Sequence, residues 1–443
     1  MAARFLEFDE LIDRLEGLSF DRAPAIVCNA HITGLGVSRA LARHDVPVIA
    51  VDRTGDGVAP PSSAVTVAGR ITYPLSDLEG FREDCEAIAD AIEHDPVAFG
   101  CMDEWVHAFA ETRPDGVRLP FAERDVVDSV LDKESLYGIA EGLDVPYPET
   151  YRIADTGDDE APAVAANVGD PVDAGTAADE LGFPLVVKPA LKREFEEAVG
   201  TNVIEVADRE EYEEVIERAR GAGIRLMAQE KVPLAEGEDC SLASYVPPTG
   251  EATTFVGNPL VRYPRAFGTS CVVERVDRPE VEQRALSVLE ETGYYGISEA
   301  EFVYDTDREE YVLLDVNTRP WKWIGLPMAA GANLPMAAYA DAIGADYDPA
   351  EPADSAERSS AGRPEAIASG DARWVYLPDY LELLATDETF GDVLSETEWA
   401  ALVSGAFEDD ASLATGVYSP SDPAPTYQVI QTEFGGREYY CSC

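Results

Sequence analysis

Apolar residues along this 443-residue chain fall in short runs bounded by glycine, proline and acids, the pattern of buried strands interleaved with helices. Ala25–Asn29 and Val46–Asp52 read as buried strands on either side of a helix over Gly34–Arg43, and that alternation predicts a parallel sheet. Pro96–Glu104 is a further strand, ending in acids, and the leading unit closes near Phe121. A linking helix carrying Lys133 comes next and ends before Val145-Pro-Tyr-Pro148. Asp155–Asp179, rich in Ala, Asp, Gly and Pro, reads as a solvated loop. From Phe183 to Val232 the order strand, loop, strand, helix, strand describes a small lid. Leu242–Val246 pairs with Ala252–Gly257, Cys271–Glu274 adds a strand, and Phe302–Asp305 and Tyr311–Asp315 flank the polar turn Thr306–Glu310 as a hairpin. A Pro-, Ala-, Ser- and Glu-rich linker over Pro349–Pro364 precedes a mostly helical tail that opens at Trp374–Leu384. The expected units are 1–122 (α/β, Rossmann-like), 123–237 (linking helix and lid), 238–348 (antiparallel sheet) and 349–443 (linker and tail).

A hydrophobic fraction of 46% fills such cores, but a net charge of −53 and a pI near 4.1 lie far outside ordinary usage. The acids are spread along the chain, which predicts a halophilic surface: at molar salt a Debye length of about 3 Å screens the self-repulsion. The same charge argues against nucleic-acid binding. No apolar stretch reaches membrane-spanning length, and the N-terminus has neither a basic nor an apolar leader region, so a cytoplasmic location is expected. Seven cysteines without a regular framework favour free thiols, and four histidines leave little material for a zinc site.

Chemistry concentrates in Ser298-Glu-Ala-Glu-Phe302 and Leu313-Leu-Asp-Val-Asn-Thr-Arg-Pro320. A hairpin brings Glu301 beside Asp315 and Asn317, converging hard oxygen ligands suited to Mg²⁺ with phosphates completing its shell. Arg319 can stabilise charge on a transferring phosphoryl group. Two acids on a hairpin of an acidic protein are as readily solvation, but Asn317-Thr-Arg319 after an apolar strand is not explained that way.

These residues resemble the ATP-grasp superfamily, whose signature is an acidic strand residue followed by an acid-x-Asn-x-Arg segment. Arg262-Tyr-Pro-Arg-Ala-Phe-Gly-Thr-Ser270, Gly296-Ile-Ser-Glu-Ala-Glu-Phe302 and Asn317-Thr-Arg-Pro-Trp321 look like carboxylate-amine ligases related to D-aspartate ligase. The resemblance implies an α/β, or α+β, ATP-grasp fold with a Rossmann-like leading domain, a small lid, an antiparallel catalytic sheet and a helical tail. It implies ATP and Mg²⁺ (Mn²⁺ as a substitute), small-molecule carboxylate and amine substrates, and leaves a homodimer open. Asp315 stands where a longer Glu is usual, and the lid offers Lys192 and Arg193 with one Gly200 where a glycine-rich turn is common.

Lysine is informative because the chain has five: Lys133, Lys188, Lys192, Lys231 and Lys322. Lys133 and Lys188 match the two phosphate-contacting lysines of ATP-grasp enzymes. Gln229, Glu230, Lys231 and Val232 resemble the hinge that reads the adenine edge, with Glu230 near the exocyclic amine, and Glu238 or its rival Glu236 would take the ribose. Any one of these lysines is also explicable as a snorkelling surface residue, but three falling on three motif positions are not readily explained that way. Arg262 and Arg265, beside a glycine-bearing turn, suit a carboxylate or its acyl phosphate, though packing would also explain them. Trp321 and Trp323 are expected to pack beneath the site, with Lys322 exposed or reaching substrate.

Gly34-x-Gly36 lacks the third glycine of a dinucleotide fingerprint, Arg39 standing there, although Asp52 is placed like an acidic ribose partner. A leading Rossmann-like domain explains it better than a dehydrogenase; its helix N-terminus would then offer an anion site to the carboxylate, and His31 would make local hydrogen bonds. The expected activity is ATP-dependent ligation through an acyl phosphate. The alternatives are a nucleotide-binding sensor or scaffold without turnover, and a small-molecule kinase.

Overall fold

The computed structural model describes residues 5–154, 170–189, 203–235, 237–265, 268–347, 372–408 and 412–434. Among them are three sheets. The first has order β1-β4-β3-β2-β5, formed by Phe5–Leu6, Ala25–Cys28, Val48–Asp52, Val67–Arg70 and Val97–Gly100 numbered β1 to β5, and every pairing is parallel. Its strands are buried almost throughout, as helices on both faces of a parallel sheet require.

The second sheet, of order β6-β9-β7-β8, is small and antiparallel: β6 Thr150–Arg152, β7 Leu185–Pro189, β8 Ile204–Val206 and β9 Leu226–Glu230. Helix Arg209–Ala222 packs on it, capped by Asp208 and closed by Gly223 at φ 70°. The expected loop over Asp155–Asp179 is corrected where it is described: Ala174–Leu181 is a helix, because Asp173 accepts from Thr176 N at its N-cap and Ala177 and Ala178 bury one face. Polar composition hid an alanine-rich stretch with good helix propensity. The loop with Lys192, Arg193 and Gly200 lies outside the described residues.

The third sheet has order β14-β13-β10-β11-β12-β15-β16, with β10 Cys240–Val246, β11 Thr253–Tyr263, β12 Thr269–Arg275, β13 Gly296–Asp305, β14 Glu310–Asn317, β15 Arg373–Val375 and β16 Leu413–Thr415. Consecutive pairing is antiparallel up to β15, which then pairs in parallel with β16. The tail, besides its helices, therefore extends the large sheet by two strands.

Two cores span the leading and large sheets. One joins Ile26, Ile49, Trp105 and Phe109 to Leu136, Leu242, Phe302 and Leu313; the other joins Val27, Leu35 and Val48 to Trp321, Trp323, Leu334, Tyr339 and Trp374. The five cysteines of the described residues are free and buried. No helix among those residues is long and apolar enough to cross a membrane.

Candidate active site

Strands β13 and β14 place Glu301 opposite Asp315 and Glu299 opposite Asn317. Opposed residues share a face, as do residues two apart on one strand, so all four side chains lie together. Asn317 Nδ2 donates to Glu301 Oε1 (3.0 Å) and Glu299 Oε2 (3.3 Å), cross-linking the two acids. The register slips immediately beyond this group, where Phe302 opposes Leu313 and leaves Leu314 bulged. A bulge re-aims nearby side chains and frees a backbone group. Here the Leu314 carbonyl accepts from Tyr137 Oη at 2.8 Å, tying the bulge to helix Lys133–Gly142.

That helix starts at Asp132, whose carboxylate accepts from Ser135 N. Its first residue, Lys133, is buried, and the ammonium lies 2.8 Å from Asp315 Oδ1. Lys188 is buried in β7. Across the small sheet it lies in one row with Met227 and Arg152, and Met227 belongs to the core that includes Leu136 and Tyr137. This face of the small sheet therefore looks onto the Lys133 helix, and Gln229 reinforces the contact by donating to Tyr137 Oη (3.1 Å) and Thr150 Oγ1 (2.9 Å).

Arg262 and Arg319 flank the acids. Arg262 sits 3.2 Å from Asp239 and 3.8 Å from Glu301; burial works against its charge, yet Glu301 and Asp239 outweigh burial and raise its pKa. Arg319 is buried and donates to Asp103 Oδ1 at 2.6 Å. Burial again opposes the charge, while Asp103, Glu299 and Glu104 raise it. Asp103 opens the helix after β5, so this bond joins the C-terminal end of the leading sheet to the segment that follows β14.

Other expected residues are placed differently. Arg265 is half exposed and turned to the tail, 3.9 Å from Asp387 and over the Phe390 ring. Lys231 makes a partly exposed ion pair with Glu205 at 2.6 Å, and Val232 beside it is buried. The Glu230 carboxylate accepts from Arg308 (2.6 Å) and Glu149 N (2.7 Å), and its amide donates to the Glu149 carbonyl. Glu238 pairs at 3.5 Å with Arg278, and Glu236 lies outside the described residues. Lys322 is not exposed: it is buried against Asp379 (2.7 Å), Thr269 (3.0 Å) and the face of Tyr376.

Around the leading helix, a Cβ at Gly34 would lie 2.2 Å from the Asn29 carbonyl, so this glycine serves close helix–strand packing. Asp52 accepts from Ala30 N and Arg53 N and fixes the turn after β2; burial raises its carboxyl to about 6. His31 caps the helix from a buried position, and burial, then Lys322, hold its imidazole well below the usual pKa.

Two residues bonded to this cluster were not singled out by the sequence. Glu299 was detectable as the residue two before Glu301 on the same strand face. Asp103 was visible as an acid ending a strand, but its partner is 216 residues away. Among the described residues no three His, Cys, Asp or Glu side chains are placed to hold a metal ion by themselves.

No protein-family model matches the chain. A curated relative, D-aspartate ligase of Enterococcus faecium (strain Aus0004), is 24% identical over 227 residues, which cover 48% of this chain and 50% of the relative. The chain thus spans about half the length of the curated relative it matches. Among solved structures, N5-carboxyaminoimidazole synthetase of Staphylococcus aureus aligns with TM-score 0.56 at 11% identity over 75% of this chain and 80% of that one. Biotin carboxylase of Campylobacter jejuni aligns at 0.55 and 16%, covering 73% and 72%, and L-amino acid ligase of Bacillus licheniformis at 0.52 and 15%, covering 74% and 75%. A parallel leading sheet, a small antiparallel sheet facing the Lys133 helix and a large sheet bearing Glu301, Asp315, Asn317 and Arg319 make this a chain of the ATP-grasp fold.

Proposed function

We propose that the chain is an ATP-dependent carboxylate-amine ligase, acting in the cytoplasm of a salt-adapted cell. The observation that carries the reading is the buried Lys133–Asp315 pair set beside Glu301 and Asn317 and flanked by Arg262 and Arg319. A cation balanced by one member of an open oxygen-donor set is ready to exchange partners when a metal–triphosphate complex arrives. The donors are all hard oxygens and too few to enclose an ion, which fits Mg²⁺ or Mn²⁺ sharing its shell with phosphate and water. Such an ion, when bound, supplies charge neutralisation at the phosphate oxygens.

The protein's own groups do the rest. Lys133 and Lys188 hold the α- and β-phosphates, the Gln229–Val232 backbone receives the base, and Glu238 takes the ribose. Arg319, kept charged by Asp103 and Glu299, stabilises the charge that develops as the γ-phosphoryl group passes to a carboxylate oxygen and ADP leaves. Arg262 holds the acyl phosphate while an amine attacks its carbonyl carbon, loses a proton and expels phosphate. Arg265, turned to the tail, is left a supporting part at the edge of the substrate loop. The ligase activities named for the Enterococcus and Bacillus proteins favour an amine acceptor over release of a phosphorylated product.

Hydroxylamine trapping tests this. With ATP, Mg²⁺ and pooled carboxylates in molar KCl, a ligase gives ADP and a hydroxamate, and the true amine suppresses the hydroxamate. A kinase acting on an alcohol gives ADP and a stable phosphate ester. ATP binding without carboxylate-dependent ADP formation across a broad pool would replace the ligase with a nucleotide sensor.

A further inference from the structure

Lys133 is bracketed in sequence by two acids, Asp132 and Glu134, and both are almost fully buried. Left unbalanced, two carboxylates beside a phosphate-binding lysine would cancel the positive field that a triphosphate needs. Two arginines of the small sheet meet them. Arg225, immediately before β9, forks across the pair, with NH2 2.8 Å from Asp132 Oδ2 and NH1 3.1 Å from Glu134 Oε2. Arg152 in β6 brings Nε to 3.0 Å from Glu134 Oε2. Both guanidinium groups are themselves largely buried, where ion pairs are expensive to assemble and an apolar joint would serve stability as well.

The placement of this cluster gives it a role. Lys133 is fixed to the large sheet through Asp315 and through Tyr137 on its own helix, whereas Lys188 belongs to the small sheet, in the same register row as Arg152. The arginine fork is planar and bidentate, so it sets orientation as well as charge. We propose that Arg225 and Arg152 are positioning residues for nucleotide binding: they neutralise Asp132 and Glu134 and lock the first turn of the Lys133 helix to the small sheet, so that Lys133 and Lys188 address one phosphate chain. The inference rests on the nucleotide reading above.

The test is calorimetric titration of the full chain with ATP and MgCl₂ in molar KCl. Arg225→Gln is expected to weaken binding at least about tenfold, and Arg225→Lys, which keeps the charge without the fork, falls between. Adding Asp132→Asn and Glu134→Gln to Arg225→Gln restores affinity to within about threefold of wild type, because the uncompensated acids are gone and asparagine still caps the helix. A merely structural joint predicts the opposite, with the triple variant weaker than Arg225→Gln. That order, or an Arg225→Gln variant that binds ATP like wild type, overturns the proposal. If Arg225→Gln does not fold, Arg152→Gln with and without Glu134→Gln makes the same comparison. A folded wild type that fails to bind ATP removes the nucleotide reading and this inference with it, whereas wild-type binding with unaffected variants removes this inference alone.

Discussion

Asp315→Asn separates the structural and chemical roles of the Lys133–Asp315 pair, because the two groups are buried and only 2.8 Å apart. Removing one partner of a buried pair leaves a charge poorly compensated and costs about 3–5 kcal/mol. For a chain of 443 residues unfolding as a unit, the unfolding entropy near 60 °C is of order 0.9 kcal/mol per kelvin, so the melting temperature should fall by about 3–5 °C. Adding Lys133→Met replaces the surviving charge with an apolar side chain of similar length, and part of the loss should return, since neither position then carries a buried charge. Catalysis should not return: both variants lack a proposed metal ligand, and the double variant also lacks a phosphate contact. Glu301→Gln provides the contrast, because Glu301 is more exposed than Asp315 and lies outside the lysine pair; it should abolish turnover with a smaller thermal shift. Differential scanning calorimetry with and without ATP and MgCl₂, beside an ADP-release assay, measures each quantity. An Asp315→Asn protein melting within about 1 °C of wild type, or a double variant melting below the single one, would refute the argument that this pair carries an uncompensated burial cost.

Two further predictions use other parts of the molecule. Lowering KCl from molar to about 0.1 M lengthens the Debye length to roughly 10 Å, so a chain of net charge −53 should lose thermal stability, and a flat melting temperature across that range would remove the halophilic reading. Asp52 has a folded pKa raised to about 6 by burial, so the folded state binds its proton more tightly than the unfolded chain and this carboxyl disfavours folding increasingly as pH climbs from about 4 to 6. Asp52→Asn should therefore gain stability relative to wild type over that interval, by up to about 2–3 kcal/mol, and a difference that stays constant with pH in denaturant titrations would sink the assignment.

What the sequence disclosed followed from local periodicity. Glu301, Asp315 and Asn317 were legible because charged and amide residues recurring every second position in a β-branched hairpin must share a face, and the observed register agrees. The bulge at Leu314 was not legible, since it is stabilised by Tyr137 of a distant helix. Lysine scarcity was an uneven guide. It pointed to the buried Lys133 and Lys188, but it could not tell a buried ammonium from the Lys231–Glu205 surface pair, because both preserve a cation among abundant acids. The two tail strands were hidden for a related reason: Arg373–Val375 and Leu413–Thr415 are three residues each, too short for alternation to register, and they form because the edge of β12 is available to them.

The docking of the tail shows where positional information resides in so acidic a chain. With 86 acids against 33 lysines and arginines, an acid is available almost anywhere, whereas a buried cation is rare and must be met. Asp422 meets Arg39 of the leading helix at 2.9 Å and also accepts from Ser62 Oγ and Ser63 N; Asp379 meets Lys322 at 2.7 Å, just beyond the Asn317–Arg319 segment. One tail segment is thus tied to the leading unit and another to the segment after Arg319, each through a cation whose burial would be unfavourable without its partner. Surface acids contribute solubility and are interchangeable, and salt screens them. The buried pairs are screened far less, so the tail's seat on both units follows from where Arg39 and Lys322 lie and not from the acidic surface around it.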